Sequence, residues 1–265
     1  MQILDLASDP ALDHVPTSRS GLAREFVGLW LLARCRWSQG ARPWLGIATT
    51  LATILVATSL HFHILRPFLW RSGDVYATLP LTTELARMPM SILFPTALLP
   101  LWAACLQLLV VIGLGELILG RWLTIVVAVA GHFGSTLIAR LLLQSVHGHL
   151  FGLVPAMAHI LDTGPSAATT SVGACLLVAT RMNRCALLLG IGLIGAAFIM
   201  PGVDGVEHTS ALIFGVTVGV VDYNVFTRIW IRNNSSIRAL RGRLTRSLRV
   251  ASFEATRSGG FRGTY

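Results

Sequence analysis

Gly164-Pro-Ser-Ala-Ala-Thr-Thr-Ser-Val-Gly-Ala-Cys-Leu-Leu-Val-Ala-Thr180 is a short, uncharged, apolar run closed by Arg181. Gly164 permits a tight turn, and Pro165 fits the first turn of a helix, where its missing N–H is not needed. The run is at the lower limit for crossing a hydrocarbon layer, which takes about 20 apolar residues and roughly 17–25 in practice. Five more runs of this kind flank it: Trp44 to about Leu65, about Ile92 to Leu119 (broken by Pro95 and Pro100), Trp122 to Ala139, Cys185 to about Met200, and about Val206 to Thr227. Inside lipid every backbone polar group must be satisfied within the segment, so the runs are read as helices. The whole chain agrees, being 54% hydrophobic and 12% charged with a mean hydropathy of +0.68. A soluble domain carries about a quarter charged residues. The expected fold is an all-α membrane protein, a six-transmembrane-helix bundle.

All 21 basic residues are arginines. With a cytoplasmic amino terminus, six spans return the carboxyl terminus to the cytoplasm. Arg19, Arg24, Arg34, Arg36 and Arg42 then lie inside, as do Arg121, Arg181, Arg184 and nine more from Arg228 to Arg262. Only Arg66, Arg71, Arg87 and Arg140 lie outside. Basic residues near the spans favour the cytoplasmic side, so this orientation is preferred. The net charge of +9 is accounted for by a tail on anionic headgroups, without a nucleic-acid partner. The partners expected are the lipid bilayer and a transmembrane protein, and the location is a cell membrane.

Three regions follow. Residues 1–43 form a cytoplasmic segment in which Leu22 to Trp37 mixes Arg with Leu, Phe and Trp, as an interfacial helix would. Residues 44–227 form the membrane domain, and 228–265 a basic cytoplasmic tail. The outer connection from Arg66 to Ser91 is long enough for structure of its own. Cys35, Cys105, Cys175 and Cys185 fall in inner segments or spans, which argues against a disulfide framework.

The fourth and sixth runs both start outside. Ser166 therefore sits at one outer mouth and His208 at the other, opening His208-Thr-Ser-Ala-Leu-Ile-Phe-Gly215. A hydroxyl and an imidazole on one side can form a nucleophile and its base. At a helix amino terminus the unpaired amides and the dipole would stabilise negative charge near Ser166. Gly164, Pro165 and Ala167 shape and support that turn. His208, Ala211, Gly215 and Gly219 step by three or four, so His208 lies on a small-residue stripe suited to close helix packing. The plainer readings are that Ser166 is a helix cap and His208 a structural hydrogen-bonding group.

At these residues the chain resembles the rhomboid family of intramembrane serine proteases. The family's nucleophile lies in Gly-x-Ser-x at the outer end of a short fourth span, and Gly164-Pro-Ser166-Ala167 matches. Its base heads the sixth span before small residues at helical spacing, as in His208 to Gly215 and on to Gly219-Val-Val-Asp222. Gly115-Glu-Leu-Ile-Leu-Gly120-Arg-Trp resembles the family's glycine-glutamate turn. With Gly131-His-Phe-Gly134 and Asp162-Thr-Gly, the pattern looks closest to an actinobacterial rhomboid-like branch. The resemblance implies a six-span bundle, a Ser166/His208 dyad, a membrane-anchored substrate, and no metal or cofactor.

Two departures bear on activity. The family's span-two His and Asn, which help bind the oxyanion, fall by spacing on Pro100 and Ala104, which have no side-chain donor. Gln107, His132 and the outer histidines are the available substitutes. The outer Trp-Arg pair is also missing, since Ala86 precedes Arg87 and Trp70-Arg71 comes early. A catalytically inactive rhomboid-like protein that binds other membrane proteins is therefore the alternative. A metal or small-molecule carrier is a third reading, prompted by His61, His63, His147, His149, His159 and His208. Those histidines lack the spacing of a metal motif.

Overall fold

The computed structural model describes residues 21–60, 62, 65–94, 100–145, 153–160, 164–199 and 202–233, with side chains up to 221 other than that of 155. Every regular element among these residues is helical. They are α1 (Gly21–Ser38), α2 (Trp44–Ser59), α3 (Arg66–Gly73), α4 (Leu81–Ser91), α5 (Leu101–Ile118), α6 (Arg121–Ser145), α7 (Ser166–Ala179), α8 (Asn183–Ile199) and α9 (Val203–Asn233), with a 3-10 turn over Pro155–His159. By length and composition, α5 and α6 are long and apolar enough to cross a membrane; α2, α7 and α8 are apolar but shorter.

Three boundaries differ from expectation. The second apolar run becomes this helix only at Leu101, because extended Pro100 (φ −55°, ψ 141°) caps it and has no N–H to continue a helix from Ile92. Helix α2 ends at Ser59, short of Leu65. Helix α9 begins at Val203 and runs past residue 227 to Asn233, so the expected edge between 44–227 and 228–265 falls inside a helix. Compactness divides the chain at a different place, into Met1–Val220 and Val221–Tyr265. Of the second unit, the described part is the end of α9.

Within the first unit, α7 is the central element. Ala167, Ala168, Thr169, Ser171, Val172, Ala174, Cys175 and Leu176 are all buried, which leaves one half-buried stripe of Ser166, Thr170, Gly173 and Leu177. The core around it joins Val172 and Cys175 to Leu108, Ile112 and Val127. Glycines let its neighbours come close. A Cβ on Gly115 would meet Val172, one on Gly131 would meet Ser171, and one on Gly215 would lie 2.2 Å from the Ser171 carbonyl oxygen. Helix α2 meets α5 the same way, with Gly46 against the backbone of Gly113. Van der Waals contact between small residues drives such packing where no hydrophobic effect separates helix from solvent. Helix α5 is α-helical at both ends, with a π-turn over Leu108–Ile112.

Helix α7 is short because Arg181 takes a left-handed conformation (φ 58°) just beyond it. There the Met182 N–H donates to the Leu177 carbonyl (2.8 Å) and the Arg181 N–H to that of Val178 (3.0 Å), closing off the last turn.

Helix α1 is docked on the rest of the first unit. The Glu25 carboxylate accepts from the N–H groups of Arg184 (3.1 Å) and Cys185 (2.9 Å), capping α8, while Arg36 Nε donates to the Leu117 carbonyl (3.1 Å) at the end of α5. Desolvation pushes the Glu25 carboxyl up. The bonds from Cys185 and Arg184, with the Arg184 charge, outweigh it and hold the group below its usual range. A carboxyl depressed in the folded state stabilises above the unfolded pKa, and that contribution is lost as pH falls through the folded value. Protection of the Arg184 and Cys185 amides against hydrogen exchange is thus expected to drop under acid before that of the α7 amides. Glu25→Gln should lower it at neutral pH as well.

The connection between α2 and α5 holds α3 and α4. Arg87 on α4 donates to the Asp74 carbonyl (3.1 Å) at the end of α3, and α4 is pinned to α6 by an ion pair between Glu84 and Arg140. Glu84 is wholly buried.

Candidate active site

Ser166 is the first residue of α7, with Pro165 in the cap position, and no side chain caps the helix. Its hydroxyl is therefore not used as an N-cap. Gly164 takes a positive φ of 126°, a conformation open to glycine and strained for other residues. The Gly164 N–H donates to the Ser91 carbonyl at the end of α4 (2.9 Å), which fixes the turn from outside the helix. Pro165 and Ala167 are buried, and Ser166 between them is half-buried. The N–H groups of this first turn have no carbonyl behind them to bond.

His208 does not open its helix as expected. It lies a little over a turn inside α9, half-exposed, with Nδ1 2.7 Å from the Asp204 carbonyl oxygen. A carbonyl only accepts, so Nδ1 carries the proton. Nε2 is left with the basic lone pair.

Helices α7 and α9 run parallel, and their contacts fix the register. Ser171 Oγ donates to the Ala211 carbonyl (3.0 Å), 40 residues on in the chain. Gly215 lies against Ser171 and Ala174, and Gly219 against Cys175 and Val178. Carried back at the offset of Gly215 to Ser171 and Gly219 to Cys175, the register pairs His208 with Gly164, two residues before Ser166, and the expected stripe of Ala211, Gly215 and Gly219 is the face that meets α7. Among the described residues, no hydrogen bond joins Ser166 Oγ to the His208 ring.

The serine-histidine hydrogen bond that does form is a different one. Ser91 Oγ lies 2.8 Å from His132 Nε2 on α6 and donates to the Met88 carbonyl (2.8 Å). A hydroxyl has a single proton, and the carbonyl can only accept it, so Nε2 of His132 is the donor to Ser91. Ser91 is consequently not activated, and both residues are sealed from solvent at 0% and 1% exposure. They hold the end of α4 where Ser91 receives Gly164. In the sequence His132 stands out only as an oxyanion donor and Ser91 not at all, since nothing in the spacing links positions on separate helices.

Of the other candidates, Pro100 caps α5 and Ala104 is fully buried, so neither supplies a side-chain donor. Gln107 is half-buried, and its Oε1 has no partner among the described residues. Trp70 and Arg71 lie on α3, and His159 is exposed on the 3-10 turn. His61, His63, His147, His149 and Asp162 lie outside the described residues, as do Arg19 and the tail arginines from Arg238. Next to His208, Glu207 is buried and faces Glu84, Thr136 and Arg140 around a cavity of about 10 Å³, roughly one water's room. Among the described residues, no three His, Cys, Asp or Glu side chains are grouped to hold a metal ion. No family model, curated protein or solved structure matches the chain.

Proposed function

We propose that the chain is a rhomboid-like intramembrane serine protease. In this reading it lies in a cell membrane with both termini cytoplasmic and cleaves membrane-anchored proteins at the outer face. The observation that supports the reading is the parallel packing of α7 and α9, which brings the Gly164–Ser166 turn and His208, its Nδ1 bonded to the Asp204 carbonyl, to the same end of the two helices. Five apolar helices among the described residues, two of them long enough to cross a membrane, support a membrane bundle. Their outward residues support a lipid surround: Phe198 and Ile199 are 77% and 81% exposed, and Cys185 is the one buried residue on α8. Soluble monomers rarely expose contiguous apolar patches beyond a few hundred Å².

In this mechanism a side-chain rotation brings Ser166 Oγ to His208 Nε2. Catalytic hydrogen bonds are often long in the free enzyme and tighten with substrate. Ser166 Oγ attacks the peptide carbonyl as Nε2 takes its proton, and amides of the first turn of α7 receive the oxyanion. The imidazolium returns the proton to the leaving amine, and water then hydrolyses the acyl-enzyme by the same relay. Incubating the purified protein with a fluorophosphonate should label Ser166. Ser166→Ala abolishes that labelling, and His208→Ala slows it by about 10²-fold or more.

The second reading, a non-catalytic rhomboid-like binder of membrane proteins, is favoured by the open Ser166–His208 pair and by Pro100 and Ala104. Failure of the wild-type protein to label, with client binding that Ser166→Ala leaves unchanged, would establish it.

A further inference from the structure

The proposed chemistry makes no use of α1. Its docked side carries Glu25 and Arg36, with Ala33 buried. Beside that side, Phe26, Trp30 and Trp37 stand 61%, 67% and 50% exposed, spaced by four and seven so that they form one stripe. Arg24 and Arg34 on the helix and Arg42 just after it are also exposed, and the Arg42 guanidinium lies over the Trp37 ring at 4.8 Å.

The end of the fold that α1 covers has the same character. Here α5 stops, α6 starts, and Arg181 on the turn after α7 and Arg184 at the start of α8 stand exposed. Trp44 and Trp122 open α2 and α6 at 59% and 78% exposure. The carboxylates of this end turn inward. Glu25 takes the α8 amides, and Glu116 takes Arg121 and the Leu45 N–H. The outward surface combines tryptophan, phenylalanine and arginine, with no outward carboxylate among the described residues.

We propose that α1 and its neighbouring arginines form a binding surface for anionic phospholipid, with Phe26, Trp30 and Trp37 in the acyl–headgroup boundary and Arg24, Arg34 and Arg42 on the phosphates. Aromatic rings prefer that depth, and basic groups beside them select negative headgroups. The inference rests on the membrane placement proposed above, but not on the serine chemistry.

Full-length protein reconstituted in nanodiscs with chain-brominated lipid tests it through tryptophan quenching. The W30F/W37F variant isolates the emission of α1. Trp102 and Trp122 remain in that variant and report separately on whether the helices lie in lipid. The expected result is that brominated phosphatidylglycerol quenches the Trp30/Trp37 component more strongly than brominated phosphatidylcholine. R24Q/R34Q/R42Q should abolish the difference, as should salt of about 1 M, where screening acts within roughly 3 Å. If the Trp30/Trp37 component is unquenched while the other tryptophans are quenched, α1 faces water or a protein and the proposal falls. Equal quenching by both lipids in the wild type overturns it too. If no tryptophan is quenched, the membrane placement itself fails.

Discussion

Arg140→Ala is expected to cost roughly 3–5 kcal/mol of stability, because it leaves the Glu84 carboxylate buried without its counter-charge. Glu84 is 0% exposed, and its Oε1 has no hydrogen-bond partner among the described residues, so the Arg140 pair carries the compensation. At about 2–4 °C per kcal/mol for a unit of 150–250 residues, thermal unfolding in nanodiscs should fall by roughly 6–20 °C. Glu84→Leu combined with Arg140→Met should recover most of that loss, since replacing both members of a buried pair with apolar groups is often neutral or better. A double variant as unstable as Arg140→Ala alone would mean that the site requires the charge itself and not merely its neutralisation.

If Ser166 reacts as proposed, Gly215→Ala is expected to have the largest effect on its labelling of any change outside the proposed Ser166/His208 pair. Its Cβ would stand 2.2 Å from the Ser171 carbonyl oxygen and 2.9 Å from Ala174 Cβ, so α7 and α9 must move apart. Overpacking of this kind costs roughly 1–3 kcal/mol. A displacement near 1 Å at a reacting pair costs about 10²-fold in rate. Fluorophosphonate labelling should therefore drop far more than the melting temperature does. Gly134→Ala on α6 is the matched control, because its Cβ would enter open space and should gain about 0.5–1 kcal/mol of helix preference. Equal labelling in the two variants would separate the register of α7 and α9 from the chemistry.

The apolar helices and the packing face of α9 were legible in the sequence. Length and apolar composition mark the helices locally, and the Ala211, Gly215 and Gly219 stripe states which face of α9 must come close to another helix. What was not legible depends on tertiary contact. The run from Ile92 to Leu119 is marked by Pro95 and Pro100, but that the helix starts at Leu101, just after Pro100, is shown by the backbone alone. Helix α1 could be read as amphipathic, while its docking depends on Glu25 meeting two amides about 160 residues away. The Ser91–His132 bond beneath the Gly164 turn joins residues 41 apart with no motif between them. The position of His208 inside α9 likewise follows from where Val203 begins the helix, which apolarity does not mark.

The wide turn over Leu108–Ile112 in α5 has a consequence for how positions are compared along this chain. It holds one residue more than an ordinary helical turn, so everything before it is rotated by about 100° against everything after. Deleting one residue there would restore an ordinary helical turn and leave Gln107 and the residues before it where they stand. Alignment by simple counting back from Glu116 is also one step short across the bulge. Counted across the bulge, the positions that the resemblance would compare with the family's donors become Leu99 and Ala103, neither of which has a side-chain donor.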